Sequence, residues 1–467
     1  MQRKRGGGSF RRLVILVALA GAVVLGLTTF RAGPRPEISA ASDLPGIGKR
    51  TRVQVSVAEP RRGLSEVRVE FVQGERTVPL ASRSYTPLPP WAFWGERTKR
   101  DELTVEVGSQ TLEGIVEGPA AIRVVAARAG TWLRSPAPAL HELRLEVKLR
   151  PPSLQVLSSA THVAQGGCEA VVYLAGPSAV RDGVRAGEWW FPGFALPGGD
   201  GRQRFALFAA PYDLDDPRAI ELIAEDDVGN LARAAFLDTF EGRPFSADTI
   251  EVTDQFLARV VPAILAQTPE IDDRGSLLDT YVAINGELRQ ANSRTLVELA
   301  RTSVQEFLWS RPFVPLRNAQ VMSAFADRRT YRYGGRTVDR QDHLGFDLAS
   351  TRMAEVPAAN DGVVLIARYF GIYGNTVVLD HGYGLMSLYG HLSSFAVEEG
   401  QRVTAGRTLG RTGDTGLAGG DHLHFTMLLQ GLPVNPKEWW DGHWIHDRLA
   451  LKLGPALRFT QGPSTAP

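Results

Sequence analysis

His422-Leu-His-Phe-Thr-Met-Leu-Leu429 is the stretch on which the reading of this chain turns. Its residues alternate, so an extended strand carries His422, His424 and Thr426 on one face and Leu423, Phe425 and Met427 on the other, toward a core. Same-face neighbours on a strand stand about 6 to 7 Å apart, so one imidazole can hold a metal ion while the other reaches a water or substrate beside it. Upstream, Asp342-His343-Leu-Gly-Phe-Asp347-Leu348 offers an imidazole and a carboxylate four residues apart. A straight strand would separate their Cα atoms by about 13 Å, so the segment must bend, and Gly345 gives it room. His343, Asp347 and one of His422 and His424 then form a three-ligand set of nitrogen and oxygen donors that suits one Zn²⁺ per chain and leaves a fourth position open. An open position signals catalysis, because zinc acidifies a water and polarises a carbonyl while a nearby neutral histidine carries the proton. Peptide hydrolysis suits this equipment.

The motifs around these two segments are numerous. They include Ser323-Ala-Phe325 with Arg328, Pro357-Ala358 with Asp361-Gly-Val-Val364, Gly374-Asn375, and Asp380-His-Gly382. Downstream come Leu388-Tyr-Gly-His391-Leu-Ser393, Gly400-Gln-Arg-Val403 with Gly406, and Gly410-Arg-Thr-Gly413 with Thr415-Gly416. In order and spacing, residues 311 to about 440 resemble the M23 metallopeptidases, the peptidoglycan endopeptidase domain of the lysostaphin and LytM type. The resemblance implies that His343, Asp347 and His424 are the zinc ligands and that His391 and His422 are the catalytic pair beside the metal, one as general base and the other on the oxyanion. Two positions depart from the family pattern. Ala326 stands where glycine is usual after Ser-x-Phe, and Asp421 precedes the His-x-His where proline is common.

Other histidines have plainer readings. His381 belongs to a turn or an outer shell of the site, and His141 and His162 are structural. His443 and His446, three residues apart among Trp439, Trp440 and Trp444, are not assigned a second metal. Gly413, Gly416, Gly419 and Gly420 permit turns and close backbone approach, and no Gly-Lys-Ser/Thr follows them to make a phosphate loop.

The rest of the chain delivers this domain. At about 150 residues per domain, 467 residues predict roughly three folded units. Lys plus Arg (52) almost cancels Asp plus Glu (51), so no global field draws the protein to nucleic acid. The solitary Cys168 excludes an internal disulfide and a Cys-rich zinc site. Arg3, Lys4, Arg5, Arg11 and Arg12 precede the uncharged run Leu13 to Phe30, long enough to cross a bilayer with the N-terminus in the cytoplasm. An uncleaved anchor is the reading taken, since Arg31-Ala-Gly-Pro34 is a poor cleavage site for a secretory signal.

Residues 1–12 are then a basic cytoplasmic segment, 13–30 a transmembrane anchor and 31–49 a linker. Period-two alternation, as at Val53, Val55 and Val57 or Leu143, Leu145, Val147 and Leu149, predicts two β-sandwich modules resembling immunoglobulin-like domains, at 50–150 and 151–241, with a break at Pro151-Pro152. Leu296, Leu299, Ala300, Val304 and Phe307 recur at helical steps within a connector, 242–310. The peptidase domain follows at 311–446 and a tail at 447–467. The fold class expected is mainly β and multidomain, with a membrane helix and a helical connector. The expected function is a membrane-anchored zinc endopeptidase that cuts peptide cross-links of peptidoglycan from the periplasmic face of the inner membrane, with protein partners reached through the β modules. A non-catalytic regulator of other wall hydrolases and a wall-binding scaffold are the rival readings; the first would lack ligands, and all five positions are filled.

Overall fold

A computed structural model describes residues 7–30, 35–87, 95–130 and 135–461. Arg3, Lys4 and Arg5, the Arg31–Pro34 stretch and the last residues of the chain lie outside this range. Gly7–Phe30 is a helix of 24 residues whose Ser9–Gly26 window is long and apolar enough to cross a membrane. The chain divides into two compact units, Met1–Pro152 with Glu225–Leu231 and Ser153–Ala224 with Ala232–Pro467.

In the first unit, alternation does what the sequence predicts. Thr51–Ala58 runs antiparallel to Glu37–Ser42 on one side and Arg100–Val107 on the other. A five-stranded sheet holds Gly46–Ile47, Ala139–Val147, Gly118–Arg128, Leu64–Gln73 and Arg76–Ser84 in that order. The apolar faces of both sheets supply one core, including Val53, Val55, Val57, Val69, Phe71, Ile122 and Val124, all at most 2% exposed.

The second unit joins residues 153–224 and 232–241 to the peptidase region through a shared core. Val171, Phe205 and Phe208 lie in the same buried cluster as Trp309, Phe313, Phe346, Phe425 and Trp439. Strand Cys168–Ala175 is buried on both faces for most of its length, which alternation alone does not announce. Polar ties reinforce the union: Lys452 pairs with Glu169 at 2.9 Å and Arg243 with Glu438 at 3.1 Å. Leu449, Leu453 and Leu457, beyond the boundary drawn at residue 446, are buried in this core as well.

The connector holds helices Asp254–Leu265, Leu277–Ala283 and Arg289–Ala300, the first two capped by the hydroxyls of Thr253 and Ser276. It also contributes strand Ala247–Glu251, parallel to Asp327–Tyr333. Leu296 and Ala300 are buried as the periodicity predicts, but the helix ends at Ala300, so Val304 and Phe307 are not on its face. The reason is competition from Asp380, which accepts hydrogen bonds from the Ser303 hydroxyl at 2.6 Å and the Val304 amide at 3.0 Å and draws the chain out of the helix.

The peptidase region is built on an eight-stranded sheet. Along it run Gln320–Ser323, Phe346–Ala349, Leu423–Leu429, Leu385–Leu392, Asn375–Gly382, Gly362–Tyr369 and Arg402–Val403, with Leu432–Val434 paired to Leu423–Leu429 off that path. Leu423–Leu429 lies between Phe346–Ala349 and Leu385–Leu392, antiparallel to both, and this central place brings the distant motifs together.

Candidate metal centre

Register does the assembling. Asp347 lies directly across from His424 on one side, and Gly390, next to His391, lies across from His424 on the other. His343 ends strand Arg336–His343, and the chain bends through Leu344 and Gly345 before Phe346 opens the next strand. The bend passes so close to the central strand that a Cβ on Gly345 would stand 2.5 Å from the Thr426 hydroxyl and 2.6 Å from His424 Nε2, so only glycine fits.

His343 Nε2, His424 Nδ1 and Asp347 Oδ1 converge. Their separations are 2.9 Å from His343 to Asp347, 2.9 Å from His424 to Asp347 and 3.1 Å from His343 to His424. Around tetrahedral zinc, bonds of about 2.0 to 2.1 Å place ligand atoms about 3.3 Å apart, close to what is found.

The protons point the same way. His343 Nδ1–H donates to the Ala324 carbonyl at 3.0 Å, which leaves Nε2 as a lone pair. Thr426 gives its hydroxyl proton to the Leu344 carbonyl at 2.9 Å, so its oxygen accepts from His424 Nε2–H at 2.9 Å and leaves Nδ1 as a lone pair. Two nitrogen lone pairs and a carboxylate oxygen thus face one another, an arrangement that calls for a cation. The residues fit zinc.

Further groups hold this set in place. Arg329 Nη2 donates to Asp347 Oδ2 at 2.8 Å and to the Ser323 hydroxyl at 2.8 Å, leaving Oδ1 to face the histidines. Asp327 accepts from the Ala324 amide at 2.8 Å and from the Ser323 and Ser246 hydroxyls, and so fixes the turn whose carbonyl orients His343. Ala326 in that turn has φ 63°, the left-handed region that favours glycine, which explains the glycine usual there in the family pattern.

His391 and His422 border the three. Their ring centroids are 4.9 Å apart, and His391 is 5.7 Å from His424. His391 Nδ1–H donates to the Thr415 carbonyl at 2.8 Å and His422 Nδ1–H to the Gly420 carbonyl at 2.8 Å, so each presents Nε2 to the cleft. His422 Nε2 is 3.4 Å from Asp347 Oδ1. His391 is held at φ 61°, a strained conformation for a histidine and of the sort that collects at functional sites.

Burial and neighbours separate the titrations. Burial works against charge on Asp347, yet the neighbouring imidazoles of His343, His422 and His424 hold its carboxyl well below the usual carboxylate range. Burial, then the charges of His422 and His424, push His391 well below the ordinary imidazole value. Burial likewise pushes His424 down, to about 4. Burial also opposes charge on His422, but the hydrogen bond and charge of Asp347 outweigh it and move that imidazole upward. The site opens into a cavity of about 620 Å³ whose walls include Tyr331, Tyr373 and Asp421 and, from the connector, Thr253, Phe256, Tyr281, Asn285 and Arg289.

Residues 341–436 match the family model described as peptidase family M23. The C-terminal region is an M23 domain. Three relatives illustrate the range of proteins to which the chain is similar. Peptidoglycan DD-endopeptidase ShyA of Vibrio cholerae is 31% identical over 169 residues, 36% of this chain and 36% of its own. DD-carboxypeptidase/endopeptidase Mpg of Neisseria meningitidis is 42% identical over 94 residues, 20% of this chain and 22% of its own. Murein hydrolase activator EnvC of Escherichia coli is 37% identical over 109 residues, 23% of this chain and 26% of its own. The chain thus spans about a third or less of the length of these relatives. Among the described residues, His343, Asp347 and His424 form a cluster in this M23 domain that could hold zinc.

The remaining histidines lie elsewhere. His381 is buried, donating from Nδ1 to the Asp361 carbonyl at 2.7 Å, with Nε2 at 2.7 Å from the Ser387 hydroxyl, and burial pushes it down to about 4. His446 is paired with the Asp447 carboxylate next to it at 2.9 Å. Sequence reasoning placed Thr426 on the ligand face and Thr415 in a glycine-rich motif without giving either a role, and passed over Arg329 and Asp327. Strand alternation was a usable signal for Thr426. For Arg329 the only sign was its place next to the Arg328 of the Ser-x-Phe motif.

Proposed function

We propose that this chain is a zinc endopeptidase that hydrolyses peptide cross-links of peptidoglycan, with His343, Asp347 and His424 holding the metal and His391 and His422 acting on the substrate. The observation that carries the reading is the convergence of two imidazole lone pairs and a carboxylate oxygen within 3.1 Å, bordered by two more imidazoles whose Nε2 atoms face the same cleft. Zinc, when bound, supplies a Lewis acid that polarises the scissile carbonyl and acidifies water. His391, kept neutral by burial, is fit to accept a proton at Nε2. His422, whose Nδ1–H is held by the Gly420 carbonyl, presents Nε2 to the same cleft, where it can face the developing oxyanion or the leaving amine.

The names of ShyA and Mpg extend the proposal to a DD-cross-link. The similarity to EnvC favours a second reading, an activator of other wall hydrolases, against which stand the five filled positions. Helix Gly7–Phe30 supports anchoring in the inner membrane, with the remaining chain in the periplasm. The β modules read as immunoglobulin-like sandwiches, the second sharing its core with the peptidase region, and offer surfaces to protein partners.

Digestion of purified peptidoglycan by the zinc-loaded chain, with mass analysis of the fragments, tests the enzyme reading. Cross-linked dimers are expected to give way to monomers. Unchanged dimers with zinc fully bound would refute the enzyme and leave the activator.

A further inference from the structure

The cavity that contains the metal cluster also contains a cation that the M23 fold does not supply. Arg289 comes from the connector helix Arg289–Ala300, outside the matched residues 341–436, and lines the cavity together with Asn285, Tyr281 and Tyr373. Tyr373 links that wall to the site, since its ring centroid lies 5.5 Å from that of His424.

Arg289 is half-buried and anchored on one edge only. Its Nε donates to the Asn285 carbonyl at 3.0 Å and its Nη2 to the Asn285 side-chain oxygen at 2.6 Å. Among the described residues it forms no ion pair, whereas Arg329, which also lines the cavity, is paired with Asp347 at 2.8 Å. The Asn285 amide is itself held by Asp339 at 2.7 Å, so the guanidinium is aimed by a relay rather than neutralised by a contact. A partly desolvated guanidinium that is positioned but not paired is suited to a planar anion, above all a carboxylate.

We propose that Arg289 is a substrate-carboxylate subsite, by which the connector helix selects peptides bearing a free carboxylate near the bond to be cut. The inference rests on the endopeptidase reading for its substrate class, but its binding test does not. The zinc-loaded full chain in detergent is titrated by calorimetry with two short stem-type peptides that differ only in a carboxylate or its amide. The same two are then compared as substrates in cross-linked form.

A hydrogen-bonded charge pair is worth about 1.5 to 3 kcal/mol, so the carboxylate peptide is expected to bind roughly 10- to 100-fold more tightly than the amide. In Arg289→Gln this preference should fall to within about twofold, with zinc content and affinity for the amide unchanged, and Arg289→Lys should restore part of it. Loss of affinity for both peptides alike, or a preference that survives Arg289→Gln, overturns the proposal. If carboxylate-selective binding depends on Arg289 but neither peptide is hydrolysed, the subsite stands and the endopeptidase reading falls.

Discussion

Thr426→Val isolates the step by which the M23 strand turns a histidine into a ligand. The substitution keeps the shape of a side chain that is 1% exposed and removes only its hydroxyl. In the wild type that oxygen accepts from His424 Nε2–H and donates to the Leu344 carbonyl, both at 2.9 Å, which fixes the tautomer with its lone pair on Nδ1. With valine, the Nε2 proton loses its acceptor, and the alternative tautomer places a proton on Nδ1, 2.9 Å from Asp347 Oδ1, where it makes a hydrogen bond in place of a metal bond. Partners of this kind typically contribute 10- to 100-fold to metal affinity, so Thr426→Val should weaken zinc binding by about 1.4 to 2.7 kcal/mol. Competition with a chromogenic chelator measures the affinity, and Thr426→Ser, which returns the hydroxyl, should stay near wild type. Urea unfolding of the metal-free proteins shows whether the fold is kept. A folded Thr426→Val that binds zinc within twofold of wild type would refute the tautomer argument.

Four other outcomes are expected. His343→Ala, Asp347→Ala and His424→Ala should each lower zinc content sharply on elemental analysis, and full stoichiometric zinc in all three would overturn the ligand assignment. His391→Ala and His422→Ala should keep zinc yet lose about 10²- to 10⁴-fold in peptidoglycan cleavage; loss of zinc from the His422 variant alone would mean that His422, not His424, is the ligand. Burial pushes Glu438 up to about 7, so the folded state holds its proton where the unfolded chain has released it. Stability from this group is therefore full below pH 4.5 and declines to pH 7 by on the order of 3 kcal/mol, and this decline should be absent from Glu438→Gln when unfolding midpoints are compared across that range. Lys452→Met leaves Glu169, 0% exposed, without its partner and should cost about 3 to 5 kcal/mol in urea unfolding, most of it recovered in the Lys452→Met/Glu169→Gln double variant.

The chemistry of the centre was legible in the chain because strand alternation and a few residue types carry it. His422, His424 and Thr426 share a face by backbone geometry alone, and Gly345 had to permit a bend if His343 and Asp347 were to meet. The sheets of the first unit were legible for the same reason, since one face of each strand meets water and the pattern of valines records it. Where both faces are covered, as in Cys168–Ala175, alternation disappears and with it the sign that residues 153–224 and 232–241 share a core with the peptidase region. The helix end at Ala300 could not be read either, because the competing carboxylate of Asp380 arrives from a strand distant in sequence. Which ring nitrogen faces the metal, the pairing of Arg329 with Asp347, and the delivery of Arg289 to the cavity all depend on partners brought across the sheet or from the connector. Periodicity is a local property and survives in sequence, whereas hydrogen-bond partnership, tautomer and charge pairing exist only once the strands are in register.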